Sequence, residues 1–266
     1  MKAFLSAFWA EALKARRSKV SLLTVAAFLI FPIIDGLFMF ILKDPERARG
    51  MGLISVKAQI TAGVADWPTY FQVLLLGTAI GGAILFAFTM AWVFGREFSD
   101  HTAKELLALP TRREIIVSAK FFLTALWMLG LTLLIFLVTL GIGAIVNIPG
   151  WSPGLAWASF WTLITTVLLT FLLMPAVAWF ASVGRGYMPP LGWAFFTLAL
   201  SQIAGLMGWG DWLPWAVPGL FSMMFSVVYG QRAQPVGIHS YILVILTFIA
   251  GLAATFVWWR SADQTR

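Results

Sequence analysis

The chain reads as an all-α membrane protein with six transmembrane helices, and three observations carry that reading. Apolar residues make up 61% of its 266 residues and charged ones only 11%, against roughly 45–50% and about 25% in soluble domains. Six apolar stretches, at about 20–42, 71–94, 115–146, 156–183, 191–208 and 241–259, reach the length of about 17–25 residues that crosses a bilayer core. Lys and Arg gather at alternate connections, thirteen on one side and five on the other, which places both termini and the loop after the second span in the cytoplasm. No connection exceeds about 30 residues, too short for an independent soluble module, so residues 1–266 form a single transmembrane domain.

The same composition excludes several classes. The net charge of +7 lies at span ends and reports membrane orientation rather than nucleic-acid binding. With no cysteine and two histidines, His101 and His239, disulfides and thiolate metal sites are ruled out and a metal centre is not expected. No Gly-x-x-x-x-Gly-Lys-Ser/Thr run is present to cradle phosphates, and no Ser/His/Asp constellation suggests a hydrolase. The expectation is a non-catalytic protein.

Residues 1–19 form the first element. At about 100° per residue, Phe4, Leu5, Phe8, Trp9, Ala12 and Leu13 fall on one half of a helix and Ser6, Glu11, Lys14 and Arg17 on the other, the pattern of an amphipathic interfacial helix. Charge through its middle argues against a cleavable signal peptide, so it is expected to be retained. Lys14, Arg16, Arg17 and Lys19 mark the turn into the first span, which holds Pro32 and Asp35. A charged loop with Pro45 and Pro68 leads to the second span. After the third, Asn147, Ile148, Pro149 and Gly150 read as a turn, and Gly184, Arg185, Gly186, Pro189 and Pro190 separate the fourth from the fifth. Between the fifth and sixth spans, residues 209–238 are apolar but carry Pro214, Pro218 and Pro235. This is either a re-entrant hairpin or a buried loop that caps the bundle. Its Phe221, Met223, Met224 and Phe225 suit an adaptable lipid or peptide path, or simple packing. Trp67, Trp151, Trp157, Trp209, Trp212 and Trp215 fall near outer boundaries and Trp9, Trp92, Trp258 and Trp259 near inner ones, as interfacial anchors do.

The loop after the second span is the most structured of the connections. Thr102, Ala103, Lys104 and Glu105 make a capping box that opens a short helix, which carries Leu106, Leu107 and Leu109 as far as Pro110. Thr111, Arg112, Arg113 and Glu114 make a second capping box at the start of the third span. Two helix starts in so few residues define an elbow that presents acids, bases and leucines to the cytoplasm.

Asp35 is the one carboxylate well inside a predicted span, about 22 Å beyond Val20 at 1.5 Å per residue. Such an acid is a functional candidate, here a polar site on a translocation path; the plainer reading is an acid snorkelling to the outer interface. Lys120 reads as an inner-interface lysine. Gly77 and Gly81 form a Gly-x-x-x-Gly pair that suits close packing within the bundle.

These residues resemble those of ABC transporter permeases of the type-2 exporter class, in particular the six-span subunits associated with bacitracin, lantibiotic and multidrug export. The resemblance rests on Glu11, Ala12, Leu13, Lys14, Arg16 and Arg17 before the first span. It rests above all on Phe94, Glu97, Thr102, Lys104, Leu106, Leu107, Pro110, Arg112 and Lys120 around the elbow. It implies that the elbow holds a cytoplasmic coupling helix seated on an ABC ATP-binding subunit, with Glu97, Asp100, Thr102, Lys104, Glu105, Leu107 and Arg112 as contacts. It also implies two ATPase copies, a second permease copy or a related permease, and ATP with Mg on the partner rather than on this chain. The location it implies is a bacterial or archaeal cytoplasmic membrane. His101 stands where the family usually has glycine. The competing readings are an ion-coupled secondary transporter, for which Asp35 would be the coupling group, and a membrane scaffold without a transport cycle.

Overall fold

A computed structural model describes residues 2–43, 64–103, 105, 111–224 and 236–261. The chain is built of helices, with no strand among the described residues. Helix α1 (Lys2–Arg17) precedes α2 (Lys19–Lys43). Helix α3 (Trp67–Gly77) runs through a π turn (Thr78–Gly82) into α4 (Ala83–Ser99). Then come α5 (Arg113–Val146), α6 (Pro153–Val183) and α7 (Met188–Leu206). Two 3-10 turns, Gly210–Trp212 and Pro214–Ala216, lead into α8 (Val217–Met224), and α9 (Ile238–Ser261) closes the described chain.

Among the described residues, five stretches are long and apolar enough to cross a membrane: α2, the continuous Trp67–Ser99, α5, α6 and α9. The expected fifth of six spans, α7, is a helix of 19 residues, but Pro189, Pro190, Ser201 and Gln202 dilute it and it falls outside that set. It nevertheless runs from one end of the bundle to the other. Its start follows Gly186, whose carbonyl oxygen would lie 2.9 Å from a Cβ added at Gly95 near the end of α4. Past its finish, Asp211 accepts a hydrogen bond from Ser240 Oγ, in the first turn of α9, on its backbone oxygen at 2.7 Å.

Local chemistry sets the helix ends. Asp66 caps α3 by accepting from Thr69 N at 2.9 Å, with Pro68 in the first turn, and Ser152 caps α6 with Pro153 following, the arrangement helix starts favour. Helix α5 ends on Asn147 in the left-handed region at φ 53°, a conformation asparagine tolerates. Lys43 Nζ donates to the carbonyls of Val146 and Asn147 at 2.7 and 3.0 Å, so the end of α2 caps the end of α5. The expected capping box at Thr111 is not formed. The N-cap of α5 is Arg112, without a side-chain cap; Glu114 is drawn instead to Arg260 Nε at 3.4 Å, and Arg113 donates to the Trp259 carbonyl at 3.3 Å.

Packing depends on small residues at crossings. Phe31 of α2 sits over Gly77 and Gly81, where a Cβ would lie 3.5 and 2.6 Å from its ring; that pair therefore serves contact within the bundle. Helix α9 crosses α6 backbone to backbone: a Cβ on Gly251 would lie 2.6 Å from Ala176 N, and Thr255 Oγ1 donates to the Pro175 carbonyl at 3.3 Å. Side chains such as Leu22, Leu137 and Ile145, 65–79% exposed, face outward as a lipid solvent allows. The tryptophans divide. Trp9, Trp151, Trp157, Trp209 and Trp212 are exposed, but Trp67, Trp92, Trp215 and Trp259 are buried, so these four are core residues rather than interfacial anchors. Trp259 Nε1, for instance, donates to Ser182 Oγ at 2.9 Å.

Two other expectations change. In α1, Leu5 and Trp9 are exposed, while Phe4 and Phe8 pack edge-on against Phe122 of α5. Glu11, assigned to the polar half, is buried at 4% exposure: both faces of α1 are in use. In the 209–238 segment, Trp215, Ala216 and Val217 are buried and α8 packs on α6, α3 and the π turn. Residues 225–235, which hold Phe225, Arg232 and Pro235, lie outside the described residues.

Candidate functional site

Helix α5 has 34 residues, about 51 Å at 1.5 Å per residue, longer than a hydrocarbon core of about 30 Å requires. Helix α1 lies against its first turns. Lys120, two turns into α5, is thereby fully buried and is not a snorkelling interface lysine. Its Nζ donates to Glu97 Oε1 at 2.8 Å, to the Val93 carbonyl at 2.8 Å and to Glu11 Oε2 at 3.1 Å. Lys14 Nζ bridges the same two acids, at 2.7 Å to Glu11 Oε1 and 3.3 Å to Glu97 Oε1. Arg96 Nε is 3.5 Å from Glu97 Oε1, and its guanidinium lies over Trp92 at 4.8 Å. One network thus ties α1, the end of α4 and the start of α5.

Its electrostatics follow from burial. Desolvation raises the Glu11 carboxyl, but the ammoniums of Lys120 and Lys14 outweigh it and hold the group at about 2, so Glu11 is ionised at neutral pH. Glu97 is 1% exposed, and its Oε2 has no hydrogen-bond partner. Beside the network opens a groove of about 590 Å³, lined among others by Glu11, Lys14, Arg96, Glu97, Asp100 and Glu105.

The elbow begins where α4 stops. Thr102 N donates to the Glu97 carbonyl at 2.9 Å and His101 N to that of Phe98 at 3.3 Å, a Schellman ending with His101 left-handed at φ 57°. This is the position at which glycine was the expected residue. A side chain there costs about 1–2 kcal/mol, partly offset by the lower chain entropy glycine forgoes. His101→Gly is therefore expected to stabilise the fold by about 1 kcal/mol or less, read as a raised unfolding midpoint in detergent; a lowered midpoint would contradict the cap assignment.

Of the expected contact residues, Glu97, Asp100, Thr102 and Glu105 line the groove, and Arg112 is exposed beside groove-lining Thr111. Glu97 is turned inward into the ion network. Lys104 and Leu107 lie outside the described residues, as do Leu106, Leu109 and Pro110. The structure adds Glu11, Lys14 and Lys120 to the site; an acid at i,i+3 from a lysine in a basic helix, and a lysine inside an apolar run, are the signals that mark them.

Asp35 lies apart. It is 7% exposed, inside the bundle, and its Oδ2 has no partner. Tyr70 of α3, close enough to feel its charge, donates to the Pro32 carbonyl at 3.3 Å and adjoins Thr139 of α5. Among the described residues no group of acids, histidines or cysteines is arranged to hold a metal.

The family described as ABC-2 family transporter protein matches residues 7–201, from α1 into α7. The bacitracin transport permease protein BCRB of Bacillus licheniformis is 28% identical over 197 residues, 73% of this chain and 88% of that protein. No solved structure matches. Glu11, Glu97 and Lys120 all fall within the matched residues.

Proposed function

This chain belongs to the ABC-2 family of transporter proteins, and from that membership we propose that it is the membrane-spanning permease subunit of an ATP-driven exporter. One observation carries the coupling part of the reading. The turn after α4 is tied through Glu97 and Lys120 to both α1 and α5, so force applied at the elbow reaches three helices at once. A rigid lever of this kind is what an ATPase on that side would need. The ATPase is a separate chain, present in two copies, and binds ATP and Mg; a second permease, identical or related, completes the path.

The sixth crossing is α7. Its ends lie at opposite ends of the bundle, and its 19 residues fall within the roughly 17–25 of spanning helices. With six crossings, Arg96, Arg113, Arg185 and Arg260 share one end with α1, which supports cytoplasmic termini by the positive-inside rule. The cargo is amphiphilic, peptide-like, drug-like or lipid-like, as the name of the bacitracin permease relative and the scarcity of charge inside the spans both favour. Asp35 is a polar position on its path. Copurification from mild detergent with an ABC ATP-binding chain of the same cell tests the reading: a stable complex is expected, and isolation of this chain alone under every mild condition would count against it.

A further inference from the structure

An arginine interrupts the outward apolar stripe of α1. At about 100° per residue, Arg16 falls within about 20° of both Leu5 and Trp9, and all three are exposed. The rest of the circumference is in use. Phe4 and Phe8 pack on Phe122, Glu11 reaches Lys120, and Ala7, Ala10 and Lys14 line the groove. Arg17 and Lys19 follow and are also exposed. None of these three bases has an ion-pair partner among the described residues; Glu11 and Glu97, the acids α1 does meet, are held by Lys14, Lys120 and Arg96. The joint that carries the bases is fixed, because Ser18 N and Ser21 Oγ both donate to the Ala15 carbonyl and Val20 N donates to Ser18 Oγ at 3.1 Å. Lys19 opens α2, which is long and apolar enough to cross a membrane, and Leu22 and Leu23 just beyond it are exposed. Three unpaired bases thus stand at a membrane boundary, next to an outward apolar surface.

We infer that the joint between α1 and α2 binds the headgroup of an anionic phospholipid of the adjacent leaflet, with Arg16, Arg17 and Lys19 around its phosphate and its acyl chains along Leu22 and Leu23. Charge complementarity selects that occupant. A guanidinium offers a phosphate two parallel hydrogen bonds, and bases beside a membrane surface gain from anionic lipid what a zwitterionic one does not supply. Leu5 and Trp9, on the same stripe, suit burial at the boundary between headgroups and acyl chains. The lipid holds α1 from its outward side while Lys120 holds Glu11 from within, so anionic lipid is expected to steady the docking of α1 on the bundle. Such a site requires only that α2 cross a membrane, and it stands or falls separately from any ATPase.

The test is native mass spectrometry of the full chain released from micelles that hold equal amounts of phosphatidylglycerol and phosphatidylcholine. Phosphatidylglycerol is expected to be retained in preference to phosphatidylcholine. Arg16→Gln/Arg17→Gln/Lys19→Gln is expected to lower that retention about tenfold or more. The charge-keeping variant Arg16→Lys/Arg17→Lys/Lys19→Arg is expected to preserve most of it, which separates lost charge from a disturbed joint. Equal retention of the two lipids by the wild type, unchanged retention by the glutamine variant, or equal loss in both variants would overturn the site. Displacement of the lipid by inorganic phosphate would overturn it as well, by giving these bases to a free anion.

Discussion

Lys120→Ala is expected to cost the folded chain about 3–5 kcal/mol, the usual penalty when one partner of a buried ion pair is removed and the others stay charged. Glu11 and Glu97 would then lie buried at 4% and 1% exposure with Lys14 and Arg96, both at the edge, as their remaining cations. The expected readout is a large fall in the unfolding midpoint in detergent and loss of a monodisperse peak. A triple variant, Glu11→Gln/Glu97→Gln/Lys120→Met, removes the charges together and should recover most of that loss, because replacing a whole buried ionic group is often neutral. A wild-type midpoint for Lys120→Ala would show that the network does not hold α1 to the bundle.

The second large effect lies at the crossing of α6 and α9. The Cβ of Gly251→Ala would meet Ala176 N at 2.6 Å and the carbonyl carbon of Pro175 at 2.9 Å. Both are backbone atoms and cannot swing aside, so the helices must separate and the Thr255 to Pro175 hydrogen bond is strained with them. Overpacking of this sort costs about 1–3 kcal/mol for alanine, and more for leucine, which forces a wider gap. Gly130→Ala is the control: nothing lies within 4 Å of a Cβ there, and helix propensity favours alanine by up to about 1 kcal/mol. Midpoints that fall for Gly251→Ala and hold or rise for Gly130→Ala are expected; equal effects would contradict the close crossing.

What the sequence reveals here is hydrophobic length, and what it hides is partnership. The apolar runs locate five crossing helices within a few residues, because length and composition suffice for that. They place the start of the second crossing late, at 71 instead of Trp67, since Trp67 looks interfacial until the Asp66 cap and its packing on Gly143 put it in the core. Lys120 and Glu11 look like surface charges on their own helices; only α1 folding back on α5 buries them. Asp35 looks like an interface acid because periodicity gives the angle of a residue on its helix, not the neighbours that bury it to 7% exposure. The Thr111 capping pattern is sound locally and is overridden by Arg260 and Trp259, which claim Glu114 and Arg113 from more than a hundred residues away. His101 is the converse case. An unexpected side chain at a glycine position was visible in the sequence, and the left-handed φ explains it.

The elbow is expected to couple this chain to an ATPase. ATP turnover by the copurified complex in nanodiscs, wild type against Glu105→Ala/Arg112→Ala, tests it most directly. Both side chains are exposed, so the variant should fold and insert as the wild type does. The variant complex is expected either to dissociate or to hydrolyse ATP at the rate of the isolated ATPase, without the change in rate that the wild-type chain imposes. Turnover and complex stability identical to wild type would contradict it, and would move attention to Asp35 as the centre of an ion-driven mechanism.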